Sequence, residues 1–97
     1  MIPVLVHFLK NDPTSEARFR ALQALHQLAV TNDAALLAMT HGLNDQAPDM
    51  RADSARFLGD HGPRARGALT ALREALNDQV PAVRQRAQMA IEQIEKN

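Results

Sequence analysis

Ninety-seven residues, 45% apolar and 23% charged, describe a globular chain and exclude a disordered one. Lysine and arginine balance aspartate and glutamate, so the formal net charge of zero points to no polyanion partner. The absence of cysteine excludes disulfides and thiolate zinc sites.

The chain opens on "MIPVLVHFL", which is too short to span a bilayer and lacks the basic flank and cleavage site of a signal peptide. A cytoplasmic protein with no membrane partner is the expectation. By composition the stretch could be a short strand, but its place in the repeat described below argues for a helix over 2–10. A second helix is expected over 14–30 and a third over 33–43. "VTND" separates these two and offers Thr31, Asn32 or Asp33 as the N-cap. The fourth is expected over 47–60. Gly59 and Gly62 then suit a helix stop, and Pro63 opens the fifth helix, over 63–77. In that helix Leu69, Leu72 and Leu76 fall on one face. Asn77 and Asp78 end it. Pro81 starts the sixth, over 81–96, with Val83, Ala87, Ala90, Ile91 and Ile94 on its apolar side.

Six helices reduce to three copies of one unit. "LNDQAPDMR" at 43–51 and "LNDQVPAVR" at 76–84 share six of nine letters, and "KNDPTSEAR" echoes them near the start. Asp12, Asp45 and Asp78 stand 33 residues apart, as do Asn11, Asn44 and Asn77, and Arg18, Arg51 and Arg84. Ala17, Met50 and Val83, then Leu25, Leu58 and Ile91, keep the same interval. A period in this range is the signature of a stack of helical hairpins. The units run over about 1–30, 31–62 and 63–97, within one domain over 1–97.

The order of Asp after the first helix, then Pro, a hydrophobic residue and Arg, then Ala and Leu-Gly, resembles HEAT repeats. It is most similar to the short bacterial HEAT-like type also found in phycobilin lyases. Units two and three carry it most fully, and unit one, "IPVLVHFLKNDPTSEARFRALQALHQL", carries it more weakly. The resemblance implies an all-α, right-handed α-solenoid of three helical hairpins. It also implies a structural ladder through Asp12, Asp45 and Asp78 with Arg18, Arg51 and Arg84. Physical chemistry supports that role independently. A carboxylate at a helix start accepts backbone N–H groups, and an arginine fork can hold a carboxylate and carbonyls together.

If the recurring letters serve the stack, function belongs to the positions where the units differ. The core direction of the second helices is set at 17/21/24/28, 50/54/57/61 and 83/87/90/94. Helical geometry then turns offsets 19, 23 and 26 away from it. These offsets hold Phe19, Gln23 and His26; Ala52, Arg56 and Gly59; and Gln85, Met89 and Glu92. In HEAT-like solenoids the second helices usually line the concave face. The candidate partner-binding surface is therefore Phe19, Gln23, His26, Arg56, Gln85, Met89 and Glu92. The plainer alternative is that Phe19 folds over a neighbouring helix and Met89 is one of the scattered apolar residues of any surface. Arg20, Asp53 and Arg86 share a lateral column of alternating sign that would draw adjacent units together weakly, by about 0–1 kcal/mol per pair.

The two ends differ. Gln88 and Glu95 give the last helix a polar outer side, as a terminal unit requires. The first helix is apolar on most sides, so Val4 or Phe8 is expected to lack cover from any preceding repeat. A homo-oligomer through this helix is one way to cover it.

Chemistry is sparse. His7, His26, His41 and His61 include no pair at i, i+4 and no His-Glu-x-x-His pattern, so no metal ligands are assigned. "GDHGPRARG" could hold an anion at a helix start, but it lacks the Lys-Ser/Thr of a P-loop, and its Gly and Pro already serve as punctuation. No catalytic residues and no cofactor are assigned. The leading reading is a non-catalytic scaffold that binds a protein or peptide. Two alternatives are a HEAT-like lyase or DNA-repair-type protein, and a structural subunit self-associating through the first helix. The lack of Tyr and Trp and the zero net charge weigh against nucleic acid.

Overall fold

The computed structural model describes residues 1–96. The last residue of the expected domain, Asn97, lies outside them. Helix α1 spans Ile2–Asn11 and α2 spans Ser15–Leu28. Helix α3 covers Asp33–Ala38 and tightens into a 3-10 stretch over Met39–Asn44. Helix α4 spans Pro48–Asp60. A 3-10 stretch over Gly62–Ala68 leads into α5, Leu69–Ala75, and α6 spans Pro81–Glu95. No strand occurs among the described residues. The molecule is a slab of 32 × 31 × 16 Å, whose short dimension fits two layers of helix. One layer holds α1, α3 and α5; α1 packs on α2 and α5 on α6, while the 3-10 stretch that continues α3, Met39–Asn44, packs on α4.

The starts of the helices are chemically explicit. Thr14 caps α2 by accepting the Ala17 N–H at 3.2 Å, and Asn32 caps α3 by accepting the Ala35 N–H at 3.1 Å. Helices α4 and α6 have Ala47 and Val80 at the cap, whose side chains accept no bond. Asp45 and Asp78 fix these cap residues from the turn before, accepting the backbone N–H groups of Ala47 and Val80, each at 2.9 Å. Asp12 accepts both the backbone N–H and the hydroxyl of Thr14, at 2.9 Å. Gly62 ends α4 with φ of +60°, a backbone angle that side chains with a Cβ rarely take. Gly59 instead lies inside α4.

The same carboxylates join the units. Arg18 is 4% exposed. It forks Asp45 of the next unit at 2.8 and 3.2 Å and donates to the Asp12 carbonyl at 2.9 Å. Arg51 repeats the arrangement with Asp78 at 2.8 and 3.1 Å and with the Asp45 carbonyl at 2.9 Å. Arg84 donates to the Asp78 carbonyl at 2.7 Å and has no carboxylate partner among the described residues.

The core runs through all three units, with Leu9, Leu22, Leu25, Leu36, Leu58, Leu72 and Ile94 at its centre. In α6 the buried side is Val83, Ala87, Ala90, Ile91 and Ile94. In α2 the buried side differs from the expectation. It is Arg18, Ala21, Leu22, Leu25 and the capping Ala29, while Ala24 is half-buried and Leu28 exposed. Helix α2 is rolled toward unit two, where Arg18 meets Asp45 and His26 meets Phe57.

Candidate functional site

The roll of α2 changes where its unrepeated residues lie. Phe19 and His26 do not point directly away from the core; both are half-buried and lean toward α4. There they meet Phe57, itself a buried residue of the core side of α4. The His26 imidazole stacks on the Phe57 ring with centroids 4.1 Å apart and planes 6° from parallel. Phe19 reaches the same ring at 6.3 Å, tilted by 34°. The Arg56 guanidinium lies 4.7 Å from its centroid, within cation–π range. Gln23 is exposed on the outer side of α2.

His61, at the end of α4, closes the cluster. Its Nε2 lies 3.0 Å from Nδ1 of His26, close enough for one ring N–H to donate to the other ring. Burial lowers the pKa of His26, with Arg56 adding to the effect and Asp60 opposing it. Burial likewise lowers that of His61, helped by His26 and Arg64 and again opposed by Asp60. Both rings therefore favour the neutral form.

The sequence assigns Phe57 and His61 to the core direction and so leaves them outside the candidate surface. Only the aromatic identity of Phe57, at a position held by Ala24 and Ala90 in the other units, distinguishes it beforehand.

The ring cluster stands α2 off from α4, whereas α4 and α6 pack closely along their length. Gly59 makes the second contact possible. A Cβ there would fall 2.9 Å from Cα of Ala90, closer than side-chain carbons approach a backbone. Gly59 thus faces α6 and not the outer surface. Between α2 and α4 an open trough remains, of about 260 Å³, floored by Phe19, Ala47 and Met50 and rimmed by Glu16, Asp49 and Asp53. Asp53 pairs with Arg56 of its own helix at 3.3 Å. No ion pair joins it to Arg20 or Arg86 among the described residues, so the lateral charge column does not tie the units together. The nearer partner on the same helix wins.

On α6, Gln85, Met89 and Glu92 are exposed, and Met89 keeps 50% of its surface accessible. Met89 and Glu92 border a shallow depression with Gln93 and Lys96. A larger cleft of about 600 Å³ lies at the turns and is lined by Lys10, Asp12, Arg18, His41 and Asp45 among others. Arg18 and Asp45 in this cleft are already bound to each other. No group of three or more metal-ligating side chains converges among the described residues. No helix of the described residues is long and apolar enough to cross a membrane.

A family model for HEAT repeats matches residues 2–92. The chain belongs to the HEAT-repeat family. HEAT repeats commonly mediate protein–protein interaction, and the family is in general a scaffold type without catalysis. No curated protein and no solved structure matches the chain. The family match covers all three HEAT hairpins, from the start of α1 well into α6.

Proposed function

We propose that this HEAT-repeat chain is a protein-binding scaffold and that the exposed side of α2, α4 and α6 receives the partner. The residues assigned to contact are Phe19, Gln23, His26, Arg56, Gln85, Met89 and Glu92. The carrying observation is the contrast between repeated and unrepeated side chains. The repeated Asp–Arg pairs are occupied within the stack. The unrepeated side chains leave an apolar trough at Phe19, an arginine over an aromatic ring and an exposed methionine, all on the second helices of the units. Aromatic residues, methionine and arginine are the types enriched at protein interfaces.

The test is capture of the natural partner by the wild-type chain and by a triple variant, Phe19→Ser, Arg56→Glu and Met89→Lys, checked for native helicity. The proposal expects the triple variant to lose the partner. Full retention by a folded triple variant would remove the face assignment.

A second reading rests on the other end of the molecule. Val4 and Phe8 are 55% and 45% exposed on α1, next to a small apolar hollow formed with Leu5, Ala17 and Ala21. A second copy of the chain docking here would bury both side chains. Sedimentation equilibrium over a wide concentration range decides it. Association that disappears in Phe8→Ser supports the reading, and a monomer throughout removes it.

A further inference from the structure

We infer that the trough between the N-terminal halves of α2 and α4 binds a basic peptide segment of the partner. An apolar side chain of the segment sits on the floor, and its lysines or arginines meet the carboxylate rim. The inference rests on the second-helix side being the binding face and names the chemistry that face selects.

Three observations converge on this trough. First, the floor is apolar, with Phe19 and Ala47 part-exposed over the buried Met50, and the trough's volume of about 260 Å³ suits an anchoring side chain. Pockets for small molecules are larger, about 300–1,000 Å³. Second, Glu16, Asp49 and Asp53 stand round that floor, and no lysine or arginine lines it. Glu16 and Asp49 are exposed and make no side-chain bond among the described residues, and Asp53 has only its 3.3 Å contact with Arg56. Glu16 and Asp49 also sit in the first turns of their helices, where the dipole favours a carboxylate. That preference accounts for neither Asp53, one turn further on, nor the apolar floor.

Third, the feature does not recur. One unit later, Phe19, Asp49 and Asp53 become Ala52, Ala82 and Arg86. The helices of that junction, α4 and α6, also pack closely on each other. The stack does not need the trough, because the next junction does without it.

Charge complementarity sets the occupant. The chain carries no net charge, so the carboxylates create a local field and not the edge of a general one. A neutral or acidic segment entering the trough would strip water from carboxylates and offer nothing in return. A basic segment replaces that water with charge-assisted hydrogen bonds while its apolar residue covers the floor.

The experiment uses the full chain and fluorescence anisotropy. The probe is a labelled nonapeptide of lysine and arginine around a central leucine. Two further peptides carry serine at the centre, or glutamate in place of every basic residue. The inference expects saturable binding of the first peptide, weakened about tenfold by the central serine and lost with glutamate. Glu16→Lys with Asp49→Lys should also weaken it about tenfold, and Glu74→Lys on α5 should leave it unchanged. If the charge-reversed chain does not fold, the near-isosteric pair Glu16→Gln and Asp49→Asn decides, with a smaller loss expected.

Absence of saturable binding, equal binding of the glutamate peptide, or indifference to the folded rim variants each overturns the inference. Loss of the natural partner by the triple variant, with no peptide binding, would sink this inference alone. Retention of the partner by the triple variant would sink the face itself.

Discussion

Arg18 illustrates how one side chain can serve several elements at once. It closes the turn of its own unit through the Asp12 carbonyl and grips Asp45 of the next. Its side chain and that of Asp45 are only 5% and 4% exposed, while the Arg51–Asp78 pair is 18% and 13% exposed. Removing one partner of a buried pair strands the other charge. We predict a graded loss of stability in urea. Arg18→Ala should lose about 3 kcal/mol or more, and Arg51→Ala about 1–2 kcal/mol. Arg84→Ala, exposed and without a carboxylate partner among the described residues, should stay within about 0.5 kcal/mol of wild type. Equal losses at the three positions would contradict the account of the ladder. The His26–His61 contact gives a second prediction. Both rings have pKa values below their ordinary 6.5 in the folded chain, chiefly through burial. The unfolded chain therefore binds more protons as pH falls through 6.5, and stability should drop from there downward while remaining flat above. A second proton on the pair would also break the bond between the rings. Denaturation midpoints of the wild type and of His26→Gln, measured from pH 8 to 5, should diverge only below about 6.5, with the variant losing less. Parallel curves would show that these rings do not carry the dependence. Asp12 and Asp78, lowered chiefly by hydrogen bonds to Thr14 and Arg51, add their own loss only as pH falls through 3.8 and below.

Among the helices, the unequal spacing of α2, α4 and α6 decides what surface is left for a partner. Gly59 allows α4 onto α6, and the rings of Phe19, His26 and Phe57 hold α2 away. In an exposed helix Gly→Ala stabilises by about 1 kcal/mol through propensity. In α4 the added methyl would meet the backbone of Ala90, so Gly59→Ala should instead destabilise by about 1–3 kcal/mol in thermal or urea unfolding. A gain in stability would mean that the helices are not in close contact. The helices themselves were legible from proline, glycine and the interval of 33. Three details were not. The stretches over Met39–Asn44 and Gly62–Ala68, packed against α4 and α6, are 3-10 and not α-helical, a difference that apolar periodicity does not report. The direction faced by Gly59 depends on which neighbour lies close, and a helical offset places it on the outside. The roll of α2 turns Phe19 and His26 toward α4, which a single core direction shared by the three units does not report.

Across the whole molecule, the repeated residues hold the stack and the unrepeated ones give it a direction. The layer of α2, α4 and α6 carries the trough at Phe19 with its carboxylate rim, the ring cluster at Phe57 and the exposed Met89. The end at α1 leaves Val4 and Phe8 open, while the end at α6 is polar. There Glu95 pairs with Arg73 at 2.7 Å and Gln88 donates to Glu92. The polarity of the two ends was readable from Gln88, Glu95 and the apolar first helix, because exposure at the end of a stack depends mainly on which units exist. The trough was not readable, because it needs residues of two units and the distance between them. The proposed binding side is tested most directly by amide hydrogen exchange of the chain, free and saturated with its captured partner. The account predicts added protection over 15–28, 48–60 and 81–95, strongest at the first turns of α2 and α4, with α3 and α5 unchanged. Protection confined to α1, or to the turns holding Asp12, Asp45 and Asp78, would contradict it.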